Sequence, residues 1–177
     1  MHDAPSLRSF VSLTRVRPAQ KRYYSIPHNR LATAQRFVPD MSKPLGTNGT
    51  VTVVLDTPAR LKSEGHYVSD LPFHVLVRNL LRRLSALSSF HCGHELQADF
   101  GGLIRKAEQV STKRTEIRWE EFERYSTRQK QRMRMGGVAG VVEYAGDVGD
   151  LTPYLRLGEW VHVGKATSFG FGRYRIL

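Results

Sequence analysis

The pattern of apolar and polar positions changes character at residue 50. Val51, Val53, Val54 and Leu55 form a short apolar run closed by Thr57-Pro58, which predicts a buried strand starting at Thr50. Phe73, Leu76, Val77, Leu80, Leu84 and Leu87 then recur at three- and four-residue spacing. That spacing makes one apolar helical face, with Arg78 and Arg82 on the other. Asp70 is the expected cap of this helix, with Pro72 in its first turn. A shorter helix is expected over roughly 97–109. Thr115 to Ser126 reads as a strand with Ile117 and Trp119 on one face, and a second long strand follows through Val138–Tyr144. Thr152-Pro153 opens a short helix through Tyr154–Leu157 that is expected to end near Gly158. Gly172–Leu177 closes the chain as a strand. The order from Thr50 is β-α-β-β-α-β. This predicts an α+β fold: a ferredoxin-like domain with an antiparallel sheet.

Residues 1–49 show weak periodicity and carry five prolines, at positions 5, 18, 27, 39 and 44. The stretch Ser42–Gly49 has turn and linker chemistry. Two regions are therefore expected. Residues 1–49 are a basic N-terminal arm or the remnant of an incomplete first domain, and residues 50–177 are the ferredoxin-like domain ending in a glycine-rich loop.

Charge sharpens this picture. The 177 residues include 27 Lys+Arg and 16 Asp+Glu, a net charge of +11. Residues 1–50 contribute +6 and residues 101–135 contribute +5, so two stretches supply the whole excess. Such a balance favours a polyanionic partner, a nucleic acid or an anionic membrane surface. The single cysteine, Cys92, allows no internal disulfide framework and fits a reducing compartment. No apolar run reaches the roughly 18 residues that a membrane helix needs. The first residues lack the layout of a secretory signal. A cytoplasmic protein without a membrane partner is expected.

Four segments carry candidate chemistry. In Arg128-Gln129-Lys130-Gln131-Arg132-Met133-Arg134-Met135, basic residues occupy every second position. On a strand, Arg128, Lys130, Arg132 and Arg134 share a face at spacings of about 6.6 Å, close to phosphate spacing, with Met133 and Met135 turned inward. The same charges equally describe a solvated edge that blocks aggregation. In the segment Gly164–Gly172, the glycines Gly164, Gly170 and Gly172 allow close backbone approach and N–H donation to phosphate. Lys165 adds a charge, Thr167 and Ser168 add hydroxyls, and Phe169 and Phe171 offer stacking surfaces. Read alone, the segment is equally a tight hairpin loop. His91-Cys92-Gly93-His94-Glu95 crowds potential metal ligands, but zinc needs a second ligand pair and there is no other cysteine; no metal is expected. Lys21, Tyr24 and His28 lie in one basic, tyrosine-containing run. His28, Tyr24 and Lys21 have the chemistries of the base, acid and cation that metal-free RNA cleavage requires. A histidine on a proline-rich arm is equally an ordinary surface residue.

Thr57–Lys62, Arg82-Arg83-Leu84, Ile117-Arg118-Trp119, Gly136–Gly140, Leu155–Trp160 and above all Val161–Gly172 stand in an order that resembles one family. From about Thr50 to Leu177 the chain resembles the C-terminal domain of the CRISPR repeat-RNA processing endoribonucleases, in the RAMP superfamily. The resemblance implies a ferredoxin-like fold and binding of CRISPR repeat RNA. It implies metal-independent cleavage that releases guide RNAs with 2′,3′-cyclic phosphate and 5′-hydroxyl ends, and it calls for no cofactor. Lys165, Ser168 and Arg173 are the leading RNA contacts it implies; Arg175 is a further basic candidate. Family members usually carry a complete first ferredoxin-like domain, often with the active-site histidine; 49 residues are too few for one. A non-catalytic RNA-binding subunit or fragment is therefore the alternative expectation, with other CRISPR effector subunits or a second copy as further partners.

Overall fold

The computed structural model describes residues 22–25, 30–33, 45, 49–126 and 131–177, with backbone alone at 22–25, 30–33, 124–126, 131 and 133. Arg22–Ser25 (β1) pairs antiparallel with Arg30–Thr33 (β2), a hairpin that the weak periodicity did not announce.

Thr50–Ala59 (β3) alternates as a β-branched strand should: Val51, Val53 and Leu55 are buried, while Thr52 and Val54 are half-buried on the other face. It runs past the expected stop at Thr57-Pro58. The ladder slips between Leu55 and Ala59, so the missing N–H of Pro58 breaks no regular pair. Lys62–Ser63 (β4) and His66–Tyr67 (β5) form a small hairpin across Glu64 and Gly65, both at positive φ.

Phe73–Leu87 (α1) buries Phe73, Leu76, Val77, Leu80 and Leu84, as the spacing predicts. Asp70 does not cap it. Pro72 holds the N-cap position in extended conformation, no side chain caps the turn, and the Pro72 carbonyl accepts from the Val75 and Leu76 N–H groups at 3.0 and 3.2 Å. A π-helical turn, Ser88–Cys92, extends α1 until Gly93 ends it at φ 74°. Phe100–Glu108 (α2) is capped by Asp99, whose Oδ1 accepts from the Gly102 N–H at 2.9 Å.

Ser111–Ser126 (β6) contains the expected strand Thr115–Ser126 and starts before it, and Gln131–Ala145 (β7) starts well before the expected Val138. Thr152–Val161 (α3) runs beyond Gly158, which is not its terminator. Gly158 is buried against the Tyr174 hydroxyl, and that hydroxyl donates to the Leu155 carbonyl at 2.7 Å. A side chain at 158 would occupy the space of the phenol. Tyr174–Ile176 (β8) is the last strand.

The sheet order is β6-β7-β3-β8, antiparallel throughout. With α1 and α3 as its two crossover helices this is the ferredoxin-like arrangement, to which α2 and the β4–β5 hairpin are added. Residues from β3, α1, β7, α3 and β8 form one core, including Val53, Leu80, Tyr144, Leu155 and Tyr174. Burying each such side chain contributes about 1.5–3 kcal/mol. The last β3–β7 pair is Ala59–Val138; beyond it β6 and β7 continue as a two-stranded ribbon. No helix among the described residues is long and apolar enough to cross a membrane.

Candidate nucleic-acid interface

The end of β3 and the glycine-rich segment are laced together. The Lys165 N–H donates to the Arg60 carbonyl at 2.8 Å, and the Gly172 N–H donates to the Pro58 carbonyl at 2.9 Å. The Val163 N–H donates to the Gly172 carbonyl at 2.9 Å, which closes the loop at its base. Thr57 adds a side-chain staple: its hydroxyl donates to the Gly170 carbonyl at 2.7 Å and accepts from the Arg173 N–H at 2.9 Å. Two glycines are required here. Gly164 (φ 85°) lies against the Arg60 carbonyl and Gly172 (φ 73°) against the Val163 carbonyl, so a Cβ at either would strike backbone.

This changes the expected role of the glycines. Their close approach is to the protein's own chain, and the Gly170 and Gly172 N–H groups donate to Thr167 and Pro58 rather than to a ligand. The loop is a rigid platform. At its outer end Thr167–Phe169 forms a 3₁₀ turn after Ala166, which is held at φ 62°. The Phe169 and Gly170 N–H groups close that turn, which leaves those of Thr167 and Ser168 without a backbone acceptor among the described residues.

The platform faces a cleft of about 400 Å³. Gly164–Ser168 form one wall. Arg82, Arg83, Ala86 and Leu87 of α1, with Phe90 and His91 of the π-helical turn, form the other. The residues Arg82, Ala86 and Phe90 are spaced by four, as are Arg83, Leu87 and His91, so each set makes a row along the helix. Arg82 and Lys165 are exposed. Arg83 is held more firmly, its Nε donating to the Val161 carbonyl at 2.6 Å, and partial burial lowers its pKa. Phe90 is 85% exposed. Among the described residues no carboxylate lines the cleft. It therefore offers three cations, two hydroxyls, backbone N–H groups, an imidazole and an open aromatic ring: the donors that bind phosphate and the surface on which a base stacks.

The sequence-predicted residues divide. Lys165, Thr167, Ser168 and Gly164 converge in this cleft. Arg173 and Arg175 do not; both flank Asp56, with Arg175 Nε at 2.9 Å and Arg173 Nε at 3.8 Å from its carboxylate. Arg132 and Arg134 are exposed and two residues apart on β7, so they share a face, but both approach Glu123, at 3.6 and 3.3 Å. Arg128 and Lys130 lie outside the described residues, and so does the side chain of Met133. Met135 is buried as expected, opposite Phe122. His28 and Lys21 also lie outside the described residues; Tyr24 belongs to β1, its side chain undescribed. The segment His91–Glu95 forms no metal-binding cluster among the described residues; His94 Nδ1 instead lies 3.3 Å from the Ser88 hydroxyl. Sequence reasoning missed Arg82, Arg83, Phe90 and His91 as a group. The signal was the four-residue spacing continuing past the end of the apolar stripe.

Residues 53–174 match the family model described as CRISPR-associated endoribonuclease Cas6. No curated protein matches the chain. Among solved structures, a Cas6 product complex shares 19% identity at a TM-score of 0.51, with 77% of this chain aligned to 54% of that one. Thermus thermophilus Cas6 shares 16% identity at a TM-score of 0.53, with 75% aligned to 55%. A partial Cas6-RT-Cas1–Cas2 complex shares 18% identity at a TM-score of 0.53, with 78% aligned to 23%. At these identities the structures establish a shared fold. The chain spans about half the length of the first two and a smaller part of the third. With two thirds of its length covered by the family model, the chain belongs to the CRISPR-associated endoribonuclease Cas6 family.

Proposed function

We propose that this protein binds CRISPR repeat RNA and cleaves it without a metal ion to release guide RNAs. The observation that carries the reading is the cleft in which Arg82, Arg83 and Lys165 converge beside Phe90, with no carboxylate in its lining among the described residues. Backbone phosphates sit against the cations and the Thr167 and Ser168 donors, and one unstacked base lies on Phe90. Residues 50–177 are the RNA-holding domain, and residues 1–49 a basic arm or domain remnant that brings the reactive groups.

In the cleavage step a base removes the 2′-hydroxyl proton and the 2′-oxygen attacks the adjacent phosphorus. The bond to the 5′-oxygen breaks, an acid protonates that oxygen, and a cation stabilises the charge on phosphorus in between. His28, Tyr24 and Lys21 are the base, acid and cation of this proposal. The products are a 2′,3′-cyclic phosphate and a 5′-hydroxyl, with every proton accounted for.

Incubating the protein with a repeat RNA in EDTA and identifying the product ends tests the reading. Cleavage with a cyclic phosphate end, lost in His28→Ala, supports it in full. Salt-sensitive binding without cleavage supports the second reading, a subunit that holds guide RNA. That reading is favoured by the location of the cleft entirely within residues 79–168. Neither binding nor cleavage overturns both.

A further inference from the structure

The free edge of β6 carries a charge pattern that reads the same way backwards with its signs reversed. Among the described residues β6 is paired only with β7, so its other edge is open. The ladder to β7 is irregular between Thr112 and Arg114 and then regular from Arg114 to Ser126. The start of this regular stretch reads Arg114-Thr115-Glu116-Ile117-Arg118-Trp119-Glu120, and every residue of it except Ile117 and Glu120 is exposed. About Ile117, Glu116 mirrors Arg118 and Arg114 mirrors Glu120; Lys113, in the irregular step, mirrors Glu121.

A second copy placed by a two-fold axis perpendicular to the sheet, beside the open edge at the level of Ile117, sets β6 antiparallel to its own image. In that register residues whose numbers mirror about 117 stand directly opposite one another on one face. Arg114 then faces Glu120 of the other copy and Glu116 faces Arg118, each pair twice by symmetry. On the other face Ile117 meets Ile117 and Thr115 meets Trp119, itself 40% exposed in the free chain. The charges already alternate within the strand, where Arg114 pairs with Glu116 and Arg118 with Glu120. Across the two copies these in-strand pairs join into a continuous ladder of alternating sign.

The neighbouring symmetric registers fail. An axis at the level of Glu116 places Arg114 against Arg118, and an axis at the level of Arg118 places Glu116 against Glu120. Like charges directly opposite are destabilising, so the pattern rejects a two-residue slip in either direction. A charged edge that served only to prevent association needs no such mirror relation.

We propose that the β6 edge is a self-association surface, which joins two copies through antiparallel β6–β6 pairing centred on Ile117. Two four-stranded sheets become one continuous sheet, with hydrogen bonds from the open edge and ion pairs between opposite side chains providing the register. The glycine-loop cleft is built from other elements and stays free in each copy.

Sedimentation equilibrium of the full chain with two charge-reversal variants tests this. The parent chain is expected to dimerise, and more weakly as salt rises. Glu116→Arg and Arg118→Glu each turn two attractive pairs into repulsive ones, which is expected to weaken dimerisation roughly tenfold or more. Both positions are exposed and removed from the core, so each variant is expected to stay folded by circular dichroism. Mixing the two variants in equal amounts restores opposite charges across the edge, and a heterodimer is expected to form. A parent chain that stays monomeric, reversals that leave the dimer intact, or a mixture that fails to restore it would each overturn the proposal.

Discussion

Gly172 is pressed against the Val163 carbonyl at a φ of 73°, whereas Gly170, at φ 86°, faces open space. The two positions separate backbone strain from steric room. Gly170→Ala is expected to cost about 1 kcal/mol, the penalty of a left-handed conformation for alanine. Gly172→Ala adds a collision with backbone that cannot withdraw, and is expected to cost about 3 kcal/mol or more. Urea unfolding of the two variants measures the difference, and equal losses would contradict the lacing of the loop to β3. Tyr174 makes a second prediction at this scale. Its phenol is buried, and burial with the nearby Glu159 carboxylate raises its pKa well above the usual value; burial raises that of Tyr144 as well. A group whose pKa is raised on folding contributes stability below the unfolded pKa and loses it above. Stability is therefore expected to fall as pH rises past about 10, where tyrosines of the unfolded chain ionise. Tyr174→Phe removes its own share of this slope, leaving that of Tyr144, and removes the bond to Leu155, at a cost of about 1–2 kcal/mol. Thermal unfolding between neutral and alkaline pH reads both effects. Gly158 shows what the sequence concealed here: it stands where a helix terminator is expected, yet it makes room for a phenol 16 residues further on.

The elements were legible where burial is one-sided. The stripe Phe73–Leu87 gave α1, the run Val51–Leu55 gave most of β3, and Thr152-Pro153 gave the start of α3. They were hidden where tertiary pairing overrides composition. Thr115–Ser126 reads as a strand, but the start of β6 at Ser111 and the stretch of β7 before Val138 run through polar and charged residues because each strand completes the other's ladder, a long-range fact that no local window holds. The start of α1 was misplaced because backbone carbonyls at Pro72 satisfy N–H groups that Asp70 was expected to satisfy. Half the candidate site was visible as the glycine segment. The other half lies on the polar side of α1 and its π-helical continuation, where only the spacing of Arg82, Ala86 and Phe90 marked it. Phe90 is the direct test of this element. Its exposed ring supports little packing, so Phe90→Ala is expected to leave the unfolding midpoint unchanged. RNA affinity in a filter-binding titration is expected to drop about tenfold through the loss of one stacked base. An unchanged affinity would take the π-helical turn out of the interface.

At the scale of the molecule, a net charge of +11 draws in any polyanion, so weak RNA binding alone says little. Many of the described cations are also engaged: Arg132 and Arg134 by Glu123, Arg173 and Arg175 by Asp56, Lys113 by Glu143. Exposed pairs of this kind contribute little to stability, about 0–1 kcal/mol each, but they lower the positive potential where they lie. The cleft between α1 and the glycine loop stands apart because cations gather there with no carboxylate in its lining among the described residues. The measurement that tests its role most directly is the salt dependence of repeat-RNA binding by the parent chain and by an Arg82→Ala/Lys165→Ala double variant. Each phosphate contact to a single strand contributes about 0.7 to the slope of log affinity against log salt. The double variant is expected to bind more weakly and with a slope smaller by about 1.4, since two contacts are lost. A double variant that keeps the parent's affinity and slope would contradict the account, because the RNA would then be held elsewhere on the molecule.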